Sequence, residues 1–568
     1  MPQINKMKNY QIFIMFGLFL FGCREDFLDR VPLDSPSSST FYSNEQEIIL
    51  AVNSAYRDLM DLDGCCGQSI WWVSLDATSD NVWYRCDAAH RTIPGGLIDP
   101  SSGIAANAWR RFYRGINKCN MLLDNMDKAA GNASVEVMQR VEGEARFLRA
   151  FFYGYLMELY GDVPLVTNIL LKDESFVSKN AKSEVYSFVI SELDKAAGLL
   201  PESYTGANVG RATKAAALGI KARFALMNKD YDAAAKAAQS VISSGKYQLH
   251  PNYEELFTYA GENNKEAILS YGFDKSVNIN HGMWQNNSTR MGGGFCCLVP
   301  QRELVDIYQC KDGLFIDESP LFDPKSPYDN RDPRLRASYV ADGDVWFNWP
   351  YVTNPSVTEI TNVVTGAKGT NQENSRYTGS GSPASNTGYT IKKYVDPLDD
   401  ADRQRSSLDF ILLRYAEVLL TYAEAKIELA QIDQSVLDAI NLVRERPSVA
   451  MPPINSTDQG ALRRAVRYER RVELALEGLR PFDVKRYGLG PLVYNRKLLA
   501  RPKAAWWANP VFPKIDKENL IPDYTGIDVS NLYDPLDSWV FRPERNYLWP
   551  IPQSERDVNM NLAQNPGY

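Results

Sequence analysis

Histidine is almost missing: 568 residues hold only His90, His250 and His281. Clustered imidazoles, a common basis for metal binding and for proton transfer near neutral pH, are therefore thinly supplied. The sequence also lacks HExxH, a P-loop, a GxSxG nucleophile elbow, a strand-turn-helix dinucleotide fingerprint and any CxxC pair, so the commonest enzyme and structural-zinc patterns are absent. Gly292-Gly293-Gly294 stands alone and is too little for a phosphate cradle. No block of Lys and Arg occurs, and 62 basic against 70 acidic side chains leave a formal charge of −8. Nucleic acid is not an expected partner, because such affinity rests on neutralising phosphates. No apolar run reaches the roughly 20 residues that a membrane span requires. What is abundant is hydrophobic content, 44%, and aromatic content, 11%, with 11 Trp and 31 Tyr. That composition describes a water-soluble globular body with a large core and no need of metal or cofactor to hold it.

The first 22 residues read as a secretory signal. Lys6 and Lys8 precede an apolar stretch from Ile12 to Phe21, and Leu20-Phe21-Gly22-Cys23 closes it. This ending resembles the lipobox of bacterial lipoproteins, which predicts lipid attachment at Cys23 and a chain anchored to a membrane rather than spanning it. Arg24-Glu25-Asp26 follows at once and resembles the surface-export signal of Bacteroidetes lipoproteins, implying an outer-membrane location facing the exterior. Of the seven other cysteines, the adjacent pairs Cys65-Cys66 and Cys296-Cys297 and the odd total define no disulfide framework. They are expected mainly as buried small hydrophobes.

Residues 23–43, with a Pro/Ser stretch from Asp34 to Thr40, read as a lipidated end and linker. Helical periodicity then predicts helices from Asn44 and over 138–160, 183–200, 211–228 and 231–244, within a helical region spanning 44–249. The 211–228 and 231–244 pair carries small Ala positions and Tyr231 at the turn, a pattern similar to a degenerate tetratricopeptide repeat. From 250 to 405 periodicity fades and Gly, Pro, Asn and aromatic residues accumulate, as expected of a loop-rich binding region. Helical pattern returns over 406–568, at 412–430, 434–446 and 459–478.

Six separated stretches share one resemblance. They are the lipobox with Asp26-Phe27-Leu28-Asp29; Trp109 to Asn120; RVEGEARFLRAFFYGYLMELYGDVPL at 140–165; RYAEVLLTYAEAKIELA at 414–430; RYERRVELALEGLRPFDVKRYG at 467–488; and YLWPIPQSERDVNMNLAQNPGY at 547–568. Together they resemble the SusD/RagB family of outer-membrane nutrient-binding lipoproteins. The resemblance implies a mainly α, SusD-like fold: tetratricopeptide-like helix pairs as scaffold, a loop-rich aromatic binding region and little β structure. It also implies capture of an oligosaccharide, or of a peptide in the RagB-like branch, for a SusC-like TonB-dependent transporter, with no catalysis. Glu144, Arg146, Arg149, Glu469, Arg470, Arg471, Glu473 and Glu477 lie in these motifs. Charges on otherwise apolar helices are expected to pair with one another inside the scaffold rather than to meet ligand.

Sugar rings offer C–H faces ringed by hydroxyls, so their binders need flat aromatic side chains with amides and charges at the rim. Three stretches supply that combination: Asp80, Asn81, Trp83, Tyr84 and Arg85; Trp284, Gln285, Asn286 and Asn287; and Trp346, Trp349 and Tyr351. Trp284, flanked by amides, is the leading candidate, and its replacement by Ala is expected to weaken glycan binding without lowering stability. The competing readings are peptide binding, a glycoside hydrolase, for which no carboxylate pair can be singled out, and an adhesive surface lipoprotein without soluble ligand.

Overall fold

A computed structural model describes residues 41–60, 62–63, 69–374 and 384–568. Cys23, the signal segment and the Pro/Ser linker lie outside the described residues, as do Cys65 and Cys66. The described chain is mainly helical, and its β structure consists of eight two-stranded sheets.

The long helices are α1 (Glu45–Tyr56), α2 (Gly103–Asn125), α3 (Val135–Tyr160), α4 (Lys182–Leu199), α5 (Lys214–Met227) and α6 (Tyr231–Ser243) in the first half. In the second half they are α7 (Tyr415–Glu428), α8 (Gln434–Arg444), α9 (Gln459–Glu473) and α10 (Arg480–Tyr487). Their starts follow from short polar caps: Asn44, Ser134, Thr213, Asp230, Asp433 and Asp458 each accept a backbone N–H of the first turn. Helix α3 stops at Gly161, whose φ of 76° suits glycine, with Pro164 beyond.

Neighbours pack in sequence order, α2 on α3, α3 on α4, α4 on α5, α5 on α6 and α6 on α7, with α8 and α9 on α7. This is the stacking of helix pairs that the Ala-rich pattern anticipates. Contact is close where glycine permits it: a Cβ on Gly154 would lie 2.2 Å from the Phe224 ring. The main apolar core draws on all parts of the described chain, from Ile48 through Phe151, Phe224 and Leu304 to Leu420, Val472 and Ile551.

Buried ion pairs pin the helices within each half, and Arg223 of α5 with Glu417 of α7 (2.6 Å) ties the halves together. Arg414 bonds Glu473 and Glu477 (both 2.7 Å) and Glu266 (2.8 Å), while Arg446 bonds Glu266 (2.6 Å) and Glu473 (2.7 Å). Arg334 reaches Asp332, Glu469 and Glu473, and Arg470 reaches Asp483. On α3, Glu144 pairs with Arg140 and Arg211, and Arg146 and Arg149 both pair with Glu192. Burial alone would push the Glu473 carboxyl up, but Arg446, Arg414 and Arg334 outweigh it and hold it far below the usual range. The charges in the family motifs thus pin helices together.

The middle of the chain is built from short strands: β1 (Val82–Tyr84), β2 (Ala267–Tyr271), β3 (Leu298–Pro300), β4 (Val345–Trp346), β5 (Trp349–Pro350), β6 (Glu359–Thr361), β7 (Lys368–Thr370) and β8 (Phe410–Arg414). All pair antiparallel, β1 with β3 (Trp83 opposite Val299), β2 with β8 (Tyr271 opposite Phe410), and β4–β5 and β6–β7 as hairpins. Cys86 and Cys297, just beyond the β1–β3 ladder, form a disulfide. This corrects the expectation for those two cysteines, whereas Cys119, Cys296 and Cys310 are buried free thiols.

Candidate functional site

Most of the side chains proposed from sequence are interior. Asp80 receives Arg480 (2.7 Å) and Arg471 (2.8 Å) in the core, and those guanidiniums overcome burial to keep its carboxyl well below the usual range. Asn81 accepts from Arg471 through its side chain and from Gln301 N through its carbonyl. Trp83 donates its indole N–H to Asp537 (3.2 Å) under the Arg91 guanidinium, and Tyr84 packs on the His90 ring at 5.0 Å. All four are buried, so the expectation of an exposed ligand rim is corrected: Asp80 and Asn81 join the first half of the chain to the α9–α10 region, Trp83 reaches the C-terminal strand segment at Asp537, and Tyr84 packs locally. Arg85 is half-buried and donates to the carbonyls of Phe295 (2.5 Å) and Cys296 (3.2 Å), fixing the segment before β3.

Trp284 has 0% exposure. Phe347 packs on it at 4.8 Å and the Arg403 guanidinium lies over it at 4.5 Å. Asn286 donates to Ser69 Oγ (3.0 Å), and Asn287 accepts from Leu298 N (3.2 Å); both are buried. Only Gln285 is partly exposed. The Asn286 and Asn287 amides that suggested a surface loop bond within the fold, and with Trp284 they lie beneath the surface rather than on it. Tyr351 is likewise buried.

The exposed part of this cluster is the β4–β5 hairpin. Trp346 faces Trp349 across the two strands, and the turn residues Phe347 and Asn348 have φ of 48° and 66°. Two consecutive left-handed residues are what a two-residue type I′ hairpin demands; Asn accepts that conformation readily, whereas for Phe it is uncommon and costs about 1 kcal/mol. Phe347 is held there because its ring seals Trp284 and lies 5.0 Å from Trp346. Trp346, Phe347 and Trp349 are each half-buried, and Asn348 is exposed at the tip. Lys392 sits over the Trp346 ring at 4.9 Å.

Supporting residues come from distant segments. Gly293, with φ of 97°, leaves the space that Arg403 occupies, since a Cβ there would stand 2.0 Å from its guanidinium. A Cβ on Gly369 of β7 would stand 3.3 Å from the Trp349 ring and 3.5 Å from Met291, so glycine there leaves room for both. Met291 N donates to Glu373 (2.7 Å), a buried carboxyl that burial pushes up to about 7. Val363 N of the β6–β7 hairpin donates to Asn348 O (2.9 Å), so the two hairpins stand side by side, with Val363 and Val364 exposed. The glycine triplet therefore serves packing here, not an anion. Sequence reasoning missed Phe347, Met291, Lys392 and Arg403; Trp-Phe-Asn-Trp, aromatics around an Asn-containing two-residue turn, was the available signal for the first. The face presents half-buried rings with amide and cationic groups beside them, and it can stack against an apolar ligand face while bonding polar groups at its edge. Among the described residues, no cluster of His, Cys, Asp or Glu is placed to hold a metal ion, and no helix is long and apolar enough to cross a membrane.

Comparison with known proteins bears on this arrangement. Residues 26–226 match a family described as starch-binding associating with outer membrane, and residues 255–568 match the SusD family. A crystal structure of a SusD-like carbohydrate-binding protein from Bacteroides fragilis superposes with a TM-score of 0.80 at 32% identity, covering 92% of this chain and 100% of the other. SusD-like protein P2 of Formosa agariphila is 25% identical over 99% of this chain and 100% of its own length. The starch-binding protein SusD of Bacteroides thetaiotaomicron is 25% identical over 83% of this chain and 79% of its own. Matched over more than half its length and sharing this fold over 92% of the chain, it belongs to the SusD family, whose members bind rather than catalyse.

Proposed function

We propose that this protein is a surface lipoprotein, anchored through Cys23 to the outer membrane and facing outward, that captures oligosaccharides at the β4–β5 hairpin and passes them to a SusC-like TonB-dependent transporter. The observation that carries the reading is the presentation of Trp346, Phe347 and Trp349 together, half-buried, on a turn whose left-handed backbone is stabilised by packing onto Trp284. Backbone strain retained at one surface point is a reason to look for function there. Half-buried rings offer area that is already ordered, so little side-chain entropy is lost when a sugar face stacks on them. Lys392, over the Trp346 ring, and Asn348, at the tip between the rings, are placed to meet hydroxyls. Family membership and the carbohydrate-binding relative support the ligand class, and the lipobox-like Cys23 supports the anchor. A glycan-and-peptide array probed with the soluble chain lacking residues 1–23 tests the class of ligand. Retention of neutral glycans and not of peptides is expected; retention of peptides alone would replace this reading with the RagB-like one.

A further inference from the structure

A cavity of about 550 Å³ lies away from the hairpins, where the end of α1, the segment between α4 and α5, Tyr247 beyond α6 and the β2 region meet. It shares no residue with the hairpin face. Its volume falls within the roughly 300–1,000 Å³ of small-molecule sites. Three half-buried tyrosines, Tyr56, Tyr204 and Tyr247, line it. The hydroxyls of two are committed inward: Tyr56 accepts from Ala212 N (2.9 Å), and Tyr204 donates to Ala212 O (3.1 Å). Tyr247 is backed by Tyr415, stacked at 6.4 Å. The rings are thus fixed in place, with their polar ends satisfied.

Of the charges around the cavity, Glu202 and Arg211 are already paired, and Asp409 is held by a backbone N–H. Glu202 meets Lys214 (3.0 Å) and Lys246 (3.2 Å), and Arg211 meets Glu144 (2.9 Å) while donating to Asn53 (2.8 Å). The Asp409 carboxylate accepts from Phe273 N (3.0 Å). What remains open is neutral hydrogen-bonding capacity: Ser203 and Asn263 are exposed at the rim, and Ser270 lies partly exposed on β2. An anionic ligand would find no unpaired counter-charge at Arg211, whereas a hydroxyl, donor and acceptor at once, suits amides, Ser side chains and the Asp409 carboxylate.

We propose that this cavity is a second carbohydrate site, taking a short neutral stretch of oligosaccharide against the three tyrosines. The proposal rests on the glycan reading above and adds a second point of attachment. Two sites on one rigid chain make the second contact with a long polymer intramolecular, so polymers long enough to span both bind more tightly than either site alone would allow.

Hydrogen-exchange mass spectrometry of the soluble chain tests this with maltohexaose, laminarihexaose, xylohexaose and mannohexaose as probes, alongside a casein digest as the peptide probe. At least one hexasaccharide is expected to protect residues 202–213 and 263–272. That protection disappears in Tyr247→Ala and survives in Trp349→Ala, and Tyr247→Ala weakens binding of the parent polysaccharide at least tenfold. Protection confined to 345–370, with polysaccharide binding unaltered by Tyr247→Ala, would overturn the second site and leave the hairpin reading intact. Protection by none of the sugars anywhere would overturn both. Protection of the cavity by the digest alone would overturn the ligand class.

Discussion

Whether a tryptophan serves ligand or core is decided by what already covers its faces. Trp284 sits in a run of amides, which read locally as a wet loop, yet its cover comes from Phe347 and Arg403, 63 and 119 positions later. No local pattern encodes those contacts, and the same holds for Asp80, whose partners are Arg471 and Arg480. Trp284→Ala is therefore expected to cost about 3–5 kcal/mol of stability, measurable by denaturant unfolding; an unchanged midpoint would contradict its interior role. Buried carboxyls set a second residue-level expectation. Burial pushes Asp76 from 3.8 up to about 7 against the pull of the Leu476 N–H, and Glu373 from 4.5 to about 7. Both bind a proton in the folded chain that the unfolded chain releases, so their contribution favours folding at low pH and is lost as pH rises from about 4 through 7. Asp80 and Glu473 are held low by arginines that outweigh burial, so their contribution is present above about 4.5 and lost as pH falls below it. The melting temperature should peak near pH 5 and decline toward pH 8, and Asp76→Asn should flatten the decline; an equally steep fall in that variant would contradict the assignment.

The helices were legible because their pattern is local. Period, polar caps and stop residues place α3, α5, α6, α7 and α8 within a few residues of the stretches predicted, and the even spacing of small residues anticipates how pairs stack. The short strands were not legible, since runs of two to five residues carry little period. Their pairing depends on partners such as β1 and β3, more than 200 positions apart. The Cys86–Cys297 disulfide closes that same junction over a sequence separation of 211. Closing so long a loop restricts the unfolded chain by roughly 5 kcal/mol in the chain-entropy view. A Cys86→Ala, Cys297→Ala double variant should accordingly lose up to that amount in equilibrium unfolding, with amide exchange rising first in β1 and β3. Unchanged stability would mean that the packing of β1 on β3 alone holds the junction.

At the scale of the whole molecule, the charged motifs that reveal the family are those that hold its frame, such as Glu473 and Arg414, buried and paired. The sequence thus announced the scaffold and, through it, the class of binding protein, while the proposed binding face became visible only in the coordinates. Of twelve ligand positions named from sequence, the half-buried rings that stand together are Trp346 and Trp349, because their hairpin lifts them out of the core that absorbs Trp83, Tyr84, Trp284 and Tyr351. On the proposed reading, this hairpin tip holds sugar. Isothermal titration of the array-selected neutral oligosaccharide into the soluble chain and its Trp349→Ala variant tests it most directly. The variant should keep the wild-type melting temperature within a few degrees and bind the sugar about tenfold more weakly, a change of about 1.4 kcal/mol. Equal affinity in the two proteins, with both fully folded, would contradict it.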